Sequence, residues 1–177
     1  MRVELRPLST DDRDEFIEAM ARSRSFHGTW ISPPATPAEF DQLLRRAQDD
    51  TFVSLVIRLR EDGRLAGMFN ISEIVRRAFQ SAYVGYGGIA GLEGQGYMTE
   101  GMGLVLDYAF GPLGLHRLEA NIQPGNTASI ALVRRCGFVR EGFSERYLKI
   151  DGEWRDHERW AIRSELWEEL AGAGDLP

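Results

Sequence analysis

The chain has 177 residues, of which 43% are hydrophobic, and a formal net charge of −6 at pH 7. This length is enough for one domain with a substantial core, spanning residues 1–177, and leaves little room for two. The acidic balance argues against a nucleic-acid partner, because that binding depends on clustered Lys and Arg. No window is apolar enough for a signal peptide or a membrane span, so we expect a cytoplasmic protein with no membrane partner.

The cysteine and histidine content argues against disulfide and metal chemistry. A single cysteine, Cys136, excludes an internal disulfide and fits a small core residue better than a nucleophile. The three histidines, His27, His116 and His157, have no metal-ligand spacing. We therefore expect no metal.

The first quarter of the chain predicts a strand and two helices. Residues 3–8 alternate as in an edge strand, and residues 9–12 supply N-cap chemistry for a helix. Thr36-Pro37 predicts the start of another helix, with Pro at the tolerated first position. Between the helices, residues 26–34 predict a loop, in which Trp30 is a candidate substrate contact; burial of its ring explains it equally well.

Three strands follow in an antiparallel meander. The apolar runs at residues 52–59 and 64–71 flank an Asp-Gly turn at 62–63, which is a hairpin signal. A third strand is predicted over residues 79–89, after a charged turn. The meander leads directly into a glycine-rich segment.

We call residues Gly91–Gly96 the glycine loop. Glycines at 94 and 96 let the backbone turn tightly and approach a ligand closely. The apolar spacing from Met98 to Phe110 predicts a helix immediately afterwards, whose unpaired N–H groups and dipole favour an anion. The loop is therefore a candidate pyrophosphate site, although a turn that merely starts a helix has the same pattern.

Two better-known phosphate motifs do not fit. In a dinucleotide fingerprint the third glycine would fall at Thr99, and the preceding meander is not a parallel βαβ unit. A P-loop is excluded because no Gly-Lys-Ser or Gly-Lys-Thr occurs in the chain.

The rest of the chain completes a sheet. Residues 116–121 predict a strand parallel to the third strand of the meander, since a helix connects them. Asn126 begins another helix that ends before Gly137, and residues 139–150 and 153–162 form a final hairpin. The last of these strands is expected to be an exposed edge able to pair with a second copy, so monomer and homodimer both remain open.

The C-terminal half carries an ordered set of motifs. They are Gly-x-Gly-Tyr-Met-Thr-Glu at 94–100, Tyr-Ala-Phe at 108–110, residues 115–120, Asn126 with Ser129, Gly137-Phe138, and residues 151–156. In this combination and order the chain resembles the GCN5-related N-acetyltransferases, and within them the Rim-type branch that acetylates N-termini of ribosomal proteins. The resemblance implies an α+β fold with about seven strands, mixed but mostly antiparallel, a splayed parallel pair and flanking helices.

The resemblance also implies acetyl-coenzyme A as co-substrate, bound between the splayed strands. Its pyrophosphate would contact Gly94, Gln95, Gly96, Tyr97, Met98 and Thr99, and its pantetheine arm would pair with Gly88, Ile89 and Ala90. Asn126 and Ser129 would lie near the thioester, with oxyanion support from an N–H near Ile89. Arg134 and Arg135 would approach the phosphates, although a solvated helix face explains them more simply.

Three positions depart from the family pattern. Met98 stands where small residues are usual, and it fits a packing role. Glu93 stands where Gln or Arg is usual, and we expect it to face solvent because an inward carboxylate would repel a pyrophosphate. Val133 stands where many relatives carry the tyrosine that protonates the departing thiolate. The branch resembles those that use a serine instead, here Ser129, although a serine in a first helical turn also satisfies a backbone N–H.

The general base and the acceptor are less determined. Glu73, Tyr83, Tyr86 and Glu145 are candidates by placement only, Tyr83 also as a substrate contact. The expected acceptor is a protein or peptide N-terminal α-amine, for instance of a ribosomal protein. A small amine such as an antibiotic, amino acid or polyamine stays open, as does a non-catalytic module that only binds acyl-coenzyme A.

Overall fold

The computed structural model describes residues 1–174, which build one seven-stranded sheet in the order β1-β2-β3-β4-β5-β7-β6. The strands are β1 (Val3–Pro7), β2 (Val53–Leu59), β3 (Leu65–Val75), β4 (Ser81–Gly88), β5 (Arg117–Ile122), β6 (Val139–Ile150) and β7 (Glu153–Arg163). The helices are α1 (Arg13–Arg22), α2 (Arg24–His27), α3 (Pro37–Arg46), α4 (Tyr97–Phe110), α5 (Thr127–Arg135) and α6 (Ser164–Ala173). In this part of the chain, no helix has both the length and the apolar character to cross a bilayer.

The sheet is antiparallel except between β4 and β5. These two strands are parallel because α4 carries the chain back to the starting end of the sheet between them. The predicted fold class, a mixed sheet with one parallel pair and flanking helices, is confirmed.

Apolar side chains on the two sheet faces form two separate cores. Leu55 and Ile57 of β2 point to one face, where α4, α5 and α6 cover them, while Val56 between them points to the other. On that second face, Phe16 of α1 and Phe40 of α3 meet edge to face, with ring centroids 5.3 Å apart. Helices therefore lie on both sides of the sheet.

Local capping chemistry predicts several element ends correctly. The Thr36 side chain accepts a hydrogen bond from the Glu39 amide, and the Asn126 side chain accepts one from the Ser129 amide. Gly137 ends α5 with φ +85°, and a Cβ there would lie 2.4 Å from Cδ1 of Leu170. The backbone conformation thus favours glycine at 137, and a larger residue would also displace the Leu170 side chain.

Two expectations about the elements are wrong, and one helix was not predicted. The strand at 153–162 is not an edge: it lies between β5 and β6, because it pairs with β5 over six residues as well as with its hairpin partner, which leaves β6 as the edge. Helix α6 was not expected; it packs through Trp167, whose Nε1 donates to Asp107 at 2.8 Å. Residues 26 and 27, predicted as the start of the loop over 26–34, instead belong to α2.

Asp12 joins the first helical segment to the sheet. Its side chain is fully buried and accepts hydrogen bonds from Arg6, from Nη2 of Arg58 at 2.6 Å and from the Ser9 amide at 2.8 Å. Burial raises the pKa of this carboxyl, but the bonds from Arg6, Arg58 and Ser9 outweigh that effect and lower it to about 2.

We expect Asp12→Asn to lower the free energy of unfolding at neutral pH by about 2 kcal/mol, because the folded state loses a carboxylate with a depressed pKa. For the same reason the Asp12 contribution is present above its unfolded pKa of 3.8 and is lost as pH falls towards 2. Urea denaturation at several pH values measures both effects. Asp14→Asn, at an exposed position of α1, is the matched control; an equal loss in that variant contradicts the assignment.

Candidate functional site

A cleft opens where β4 and β5 part. The two strands pair only from Ser81 opposite Arg117 to Tyr83 opposite Glu119, although β4 continues to Gly88. Beyond that point the sheet is open, and a cavity of about 830 Å³ extends from the gap to the N-terminus of α4. A cavity of this size suits a ligand larger than an amino acid.

The glycine loop forms one end of this cleft. Gly91, Gly94 and Gly96 have φ values of +90°, +70° and +85°, a region that residues with side chains rarely adopt. Within residues 1–174, the amide N–H groups of residues 94–98 donate to no other protein group. Five successive free donors at the start of a 14-residue helix are suited to bind an anion.

Charged side chains hold the loop in place. Glu93 is exposed, and its Oε2 accepts the Gly91 amide at 2.8 Å, which lowers the pKa of this carboxyl and keeps it ionised. Arg2, from the chain before β1, donates from Nη2 to the Gln95 carbonyl at 2.8 Å and from Nε to Glu100 at 2.6 Å. The loop is therefore tied both to itself and to the first strand.

The walls of the cleft on β4 are made of backbone. A Cβ added at Gly87 would lie 2.5 Å from Cδ1 of Ile31, so a larger residue there would displace that side chain. The Gly88 carbonyl accepts a hydrogen bond from Nε2 of His27 at 2.8 Å, and the Ala90 amide donates to the Ser23 hydroxyl at 2.9 Å. These two backbone groups are already satisfied by the protein.

A pair of hydroxyl groups lies at the other end of the cleft. The Oη of Tyr86 on β4 and the Oγ of Ser129 in the first turn of α5 are 2.5 Å apart. Burial raises the pKa of Tyr86, so the phenol stays protonated at neutral pH and is not a general base. Val133, one turn further along α5, is fully buried in the core and does not reach the cleft.

Most of the predicted site residues line this cleft. They are Trp30, Tyr86, Gly88, Ile89, Gly94, Gln95, Gly96, Tyr97, Met98, Thr99, Asn126, Ser129 and Arg135. Residues separated by up to 105 positions in the chain are thus brought together around one space.

Five predicted residues do not line it. Glu73 is exposed and pairs with Arg46 at 3.3 Å, and Arg134 is on the solvated face of α5. The Ala90 amide is occupied as described above, and Glu145 is exposed on the edge strand. The hydroxyl of Tyr83 lies 3.4 Å from that of Tyr147, and this contact together with burial raises the pKa of Tyr83 to about 12. None of these side chains is placed to act in the cleft.

Several residues that were not selected from the sequence also line the cleft, among them Arg2, His27 and His157. Both histidines are buried, at 4% and 3% exposure. Their spacing of 130 positions carries no local signal, so only the folded chain reveals that they share a site. Among the described residues, no group of three or more His, Cys, Asp or Glu is placed to hold a metal ion.

Known proteins are similar to this chain in sequence and in architecture. The sequence profile of the Acetyltransferase (GNAT) domain matches residues 2–139. The chain is 32% identical over 166 residues to a probable N-acetyltransferase, YjcK, of Bacillus subtilis, covering 89% of this chain and 92% of that one. It is 36% identical over 107 residues to the ribosomal protein uS5-alanine N-acetyltransferase of Escherichia coli, covering 60% and 55%. Mycobacterium smegmatis RimJ in complex with CoA-disulfide has a TM-score of 0.85 and 29% identity, covering 98% and 90%.

We expect Glu93→Gln to bind coenzyme A about two- to fivefold more tightly at low salt. The substitution removes a negative charge beside the free amides, while its side-chain oxygen still accepts the Gly91 amide. Titration calorimetry measures the change, which should shrink at high salt because the charge is exposed. Glu169→Gln makes the same charge change far from the cleft and should have no effect. Weaker binding in Glu93→Gln would mean that the carboxylate is needed to shape the loop.

Proposed function

This chain belongs to the acetyltransferase (GNAT) family, and on that premise we propose that it transfers an acetyl group from acetyl-coenzyme A to the N-terminal α-amine of a protein or peptide. The observation that carries the proposal is the parted sheet, with the free amides of the glycine loop at one end of the gap and the Tyr86–Ser129 pair at the other. One ligand in extended form spans both.

The donor half of the site fits acetyl-coenzyme A. The free amides of residues 94–98 match the charge of a pyrophosphate, and the unpaired edge of β4 matches an arm that carries its own amide groups. Arg135 lines the cleft and adds a positive charge near the phosphates. The bound acetyl thioester then lies at the end of the gap nearest α5.

The hydroxyl pair supplies the acid. When the amine displaces the sulfur, the thiolate needs a proton, and Ser129 is the hydroxyl of α5 that faces the cleft. The two hydroxyl oxygens are 2.5 Å apart and either can donate; in the proposed reaction Tyr86, kept protonated by burial, is the donor to Oγ of Ser129. Ser129 is thereby free to direct its hydrogen at the sulfur.

The identity of the acceptor amine is the more specific part of the proposal. The similarity of the chain to the uS5-alanine N-acetyltransferase and to RimJ supports the proposal of an N-terminal α-amine. An α-amine titrates at about 8, so a useful fraction is neutral at pH 7. The formal net charge of −6 also attracts a positively charged peptide.

Ser129→Ala should lower kcat by about a hundredfold, the usual effect of removing a general acid, while coenzyme A binding stays unchanged. Thiol release measured with a chromogenic disulfide gives kcat, and titration calorimetry gives the Kd. Thr127→Ala removes a hydroxyl from an exposed position of the same helix and should behave as wild type. Full activity in Ser129→Ala would remove the acid role.

A mass-resolved acetylation screen tests the proposed acceptor. Peptides that differ in their first two residues should gain one acetyl group at the α-amine, and peptides with a blocked N-terminus should gain none. A parallel panel of small-amine acceptors contains an aminoglycoside, free amino acids and spermidine. Preferential modification of that panel would assign the enzyme to small amines, and no modification of any amine would refute the proposed transfer.

A further inference from the structure

Two histidines line the cleft, and only one offers it a free ring nitrogen. Nε2 of His27 is bonded to the Gly88 carbonyl at 2.8 Å, and its Nδ1 is enclosed by protein without a partner. This ring is therefore a support for the β4 backbone. It cannot exchange a proton with a ligand in the cleft without breaking that contact.

His157 on β7 contacts the protein backbone through the other ring nitrogen, Nδ1. Its Nδ1 lies 2.9 Å from the Arg155 carbonyl, and since a carbonyl only accepts, Nδ1 carries the hydrogen. In the neutral ring Nε2 then holds a lone pair. Within residues 1–174 Nε2 has no hydrogen-bond partner, and it is not among the enclosed polar atoms that lack one, so it is open to the cleft that the residue lines.

Burial keeps the His157 ring neutral. The side chain is 3% exposed, and this desolvation lowers the pKa of the imidazole, although the Arg155 carbonyl and Asp156 act in the opposite direction. The phenol of Tyr147 on β6 faces it edge on, with ring centroids 6.3 Å apart. At neutral pH the free nitrogen is thus a base.

The position of His157 complements that of Ser129. On β5, Ile122 points into the core under α4 and α5, so its neighbour Asn121 points to the opposite face, together with its partner Arg159 on β7. His157, two residues from Arg159, shares that face. Ser129 reaches the cleft from α5, on the helix-covered side. The two groups therefore approach the gap from opposite faces of the sheet.

We propose that Nε2 of His157 accepts the proton that the acceptor amine loses during acetyl transfer. The inference rests on the proposed transfer to an amine. The amine lone pair bonds to the thioester carbonyl carbon, the carbon–sulfur bond breaks, and its electron pair leaves on sulfur. His157 takes one proton from the nitrogen and Ser129 gives one to the sulfur. His157 then releases its proton to water, and the hydroxyl pair regains one from water, so the charges balance.

His157→Asn is the test variant, because the asparagine amide can still donate to the Arg155 carbonyl but offers no base. It should keep the thermal stabilisation by coenzyme A and lose about a hundredfold in kcat/KM for an α-amine peptide. His116→Asn is the matched control, since His116 pairs with Glu165 at the surface outside the cleft. Near wild-type kcat/KM in His157→Asn would overturn the proposal.

The pH profile separates a base from a structural role. In wild type, log kcat/KM at low pH should rise with a slope of about two, because both the amine and His157 must lose a proton. In His157→Asn the slope should fall to about one, with only the amine titrating. An unchanged slope would mean that the variant merely distorts the cleft, and would refute the base role.

A measurement on the wild-type protein does not depend on how the variant folds. Long-range proton–nitrogen NMR at neutral pH should find His157 with Nδ1 protonated and Nε2 bare. The opposite tautomer, or a charged ring, would overturn the proposal. A wild-type enzyme that acetylates no amine refutes the proposed transfer itself and the His157 role with it, whereas an active wild type with an active His157→Asn variant refutes only the latter.

Discussion

The parting of β4 from β5 beyond Tyr83 is the constraint on which the site depends. It leaves backbone N–H and C=O groups of two central strands without ladder partners, and such groups cost free energy when they are buried. The protein satisfies two groups at the far end of the wall by itself, the Gly88 carbonyl through His27 and the Ala90 amide through Ser23. A ligand with alternating amide groups would satisfy others, and its binding would then stabilise the fold.

Close helix-to-sheet packing sets where the anion site lies. A Cβ at Gly101 of α4 would lie 2.9 Å from Cδ1 of Ile57, and one at Gly67 of β3 would lie 2.5 Å from the sulfur of Met98. The helix therefore lies directly against the sheet, and its N-terminal amides reach the end of the gap instead of standing above it. The same glycines that allow this approach leave no room for larger residues, which links core packing to the geometry of the ligand site.

Sequence reasoning succeeds where the signal is local. The glycine loop, the Thr36 and Asn126 caps and the Asp-Gly hairpin turns each follow from a few adjacent residues, and the helical crossover gives the parallel pair. The same reasoning fails where the outcome depends on pairing at a distance. Insertion of β7 between β5 and β6 depends on which strand edge is free after the rest has folded, and no local pattern encodes it.

The same limit applies to the chemistry. Ser129 is found from its place after Asn126, but its hydroxyl partner is 43 positions away on β4. The proposed role of His157 depends on which ring nitrogen carries the hydrogen. The Arg155 carbonyl, two residues away, determines this through the backbone conformation of β7. Glu73 and Glu145 were chosen by their placement along strands, and both are exposed. Strand alternation alone does not say which face of the sheet borders a ligand, so it could not exclude them.

The Tyr86–Ser129 hydroxyl pair also offers a replacement for the tyrosine that many relatives carry where this chain has Val133. Val133 fills the core between α5 and the sheet, where a phenol would find no room. The phenol comes instead from Tyr86, whose ring lies 5.8 Å from that of Phe69 and is anchored by the strand. In the proposed transfer, Tyr86 would donate its hydrogen to Ser129 and Ser129 would deliver a proton to the sulfur, so that two side chains would share the role of a single helix-borne tyrosine.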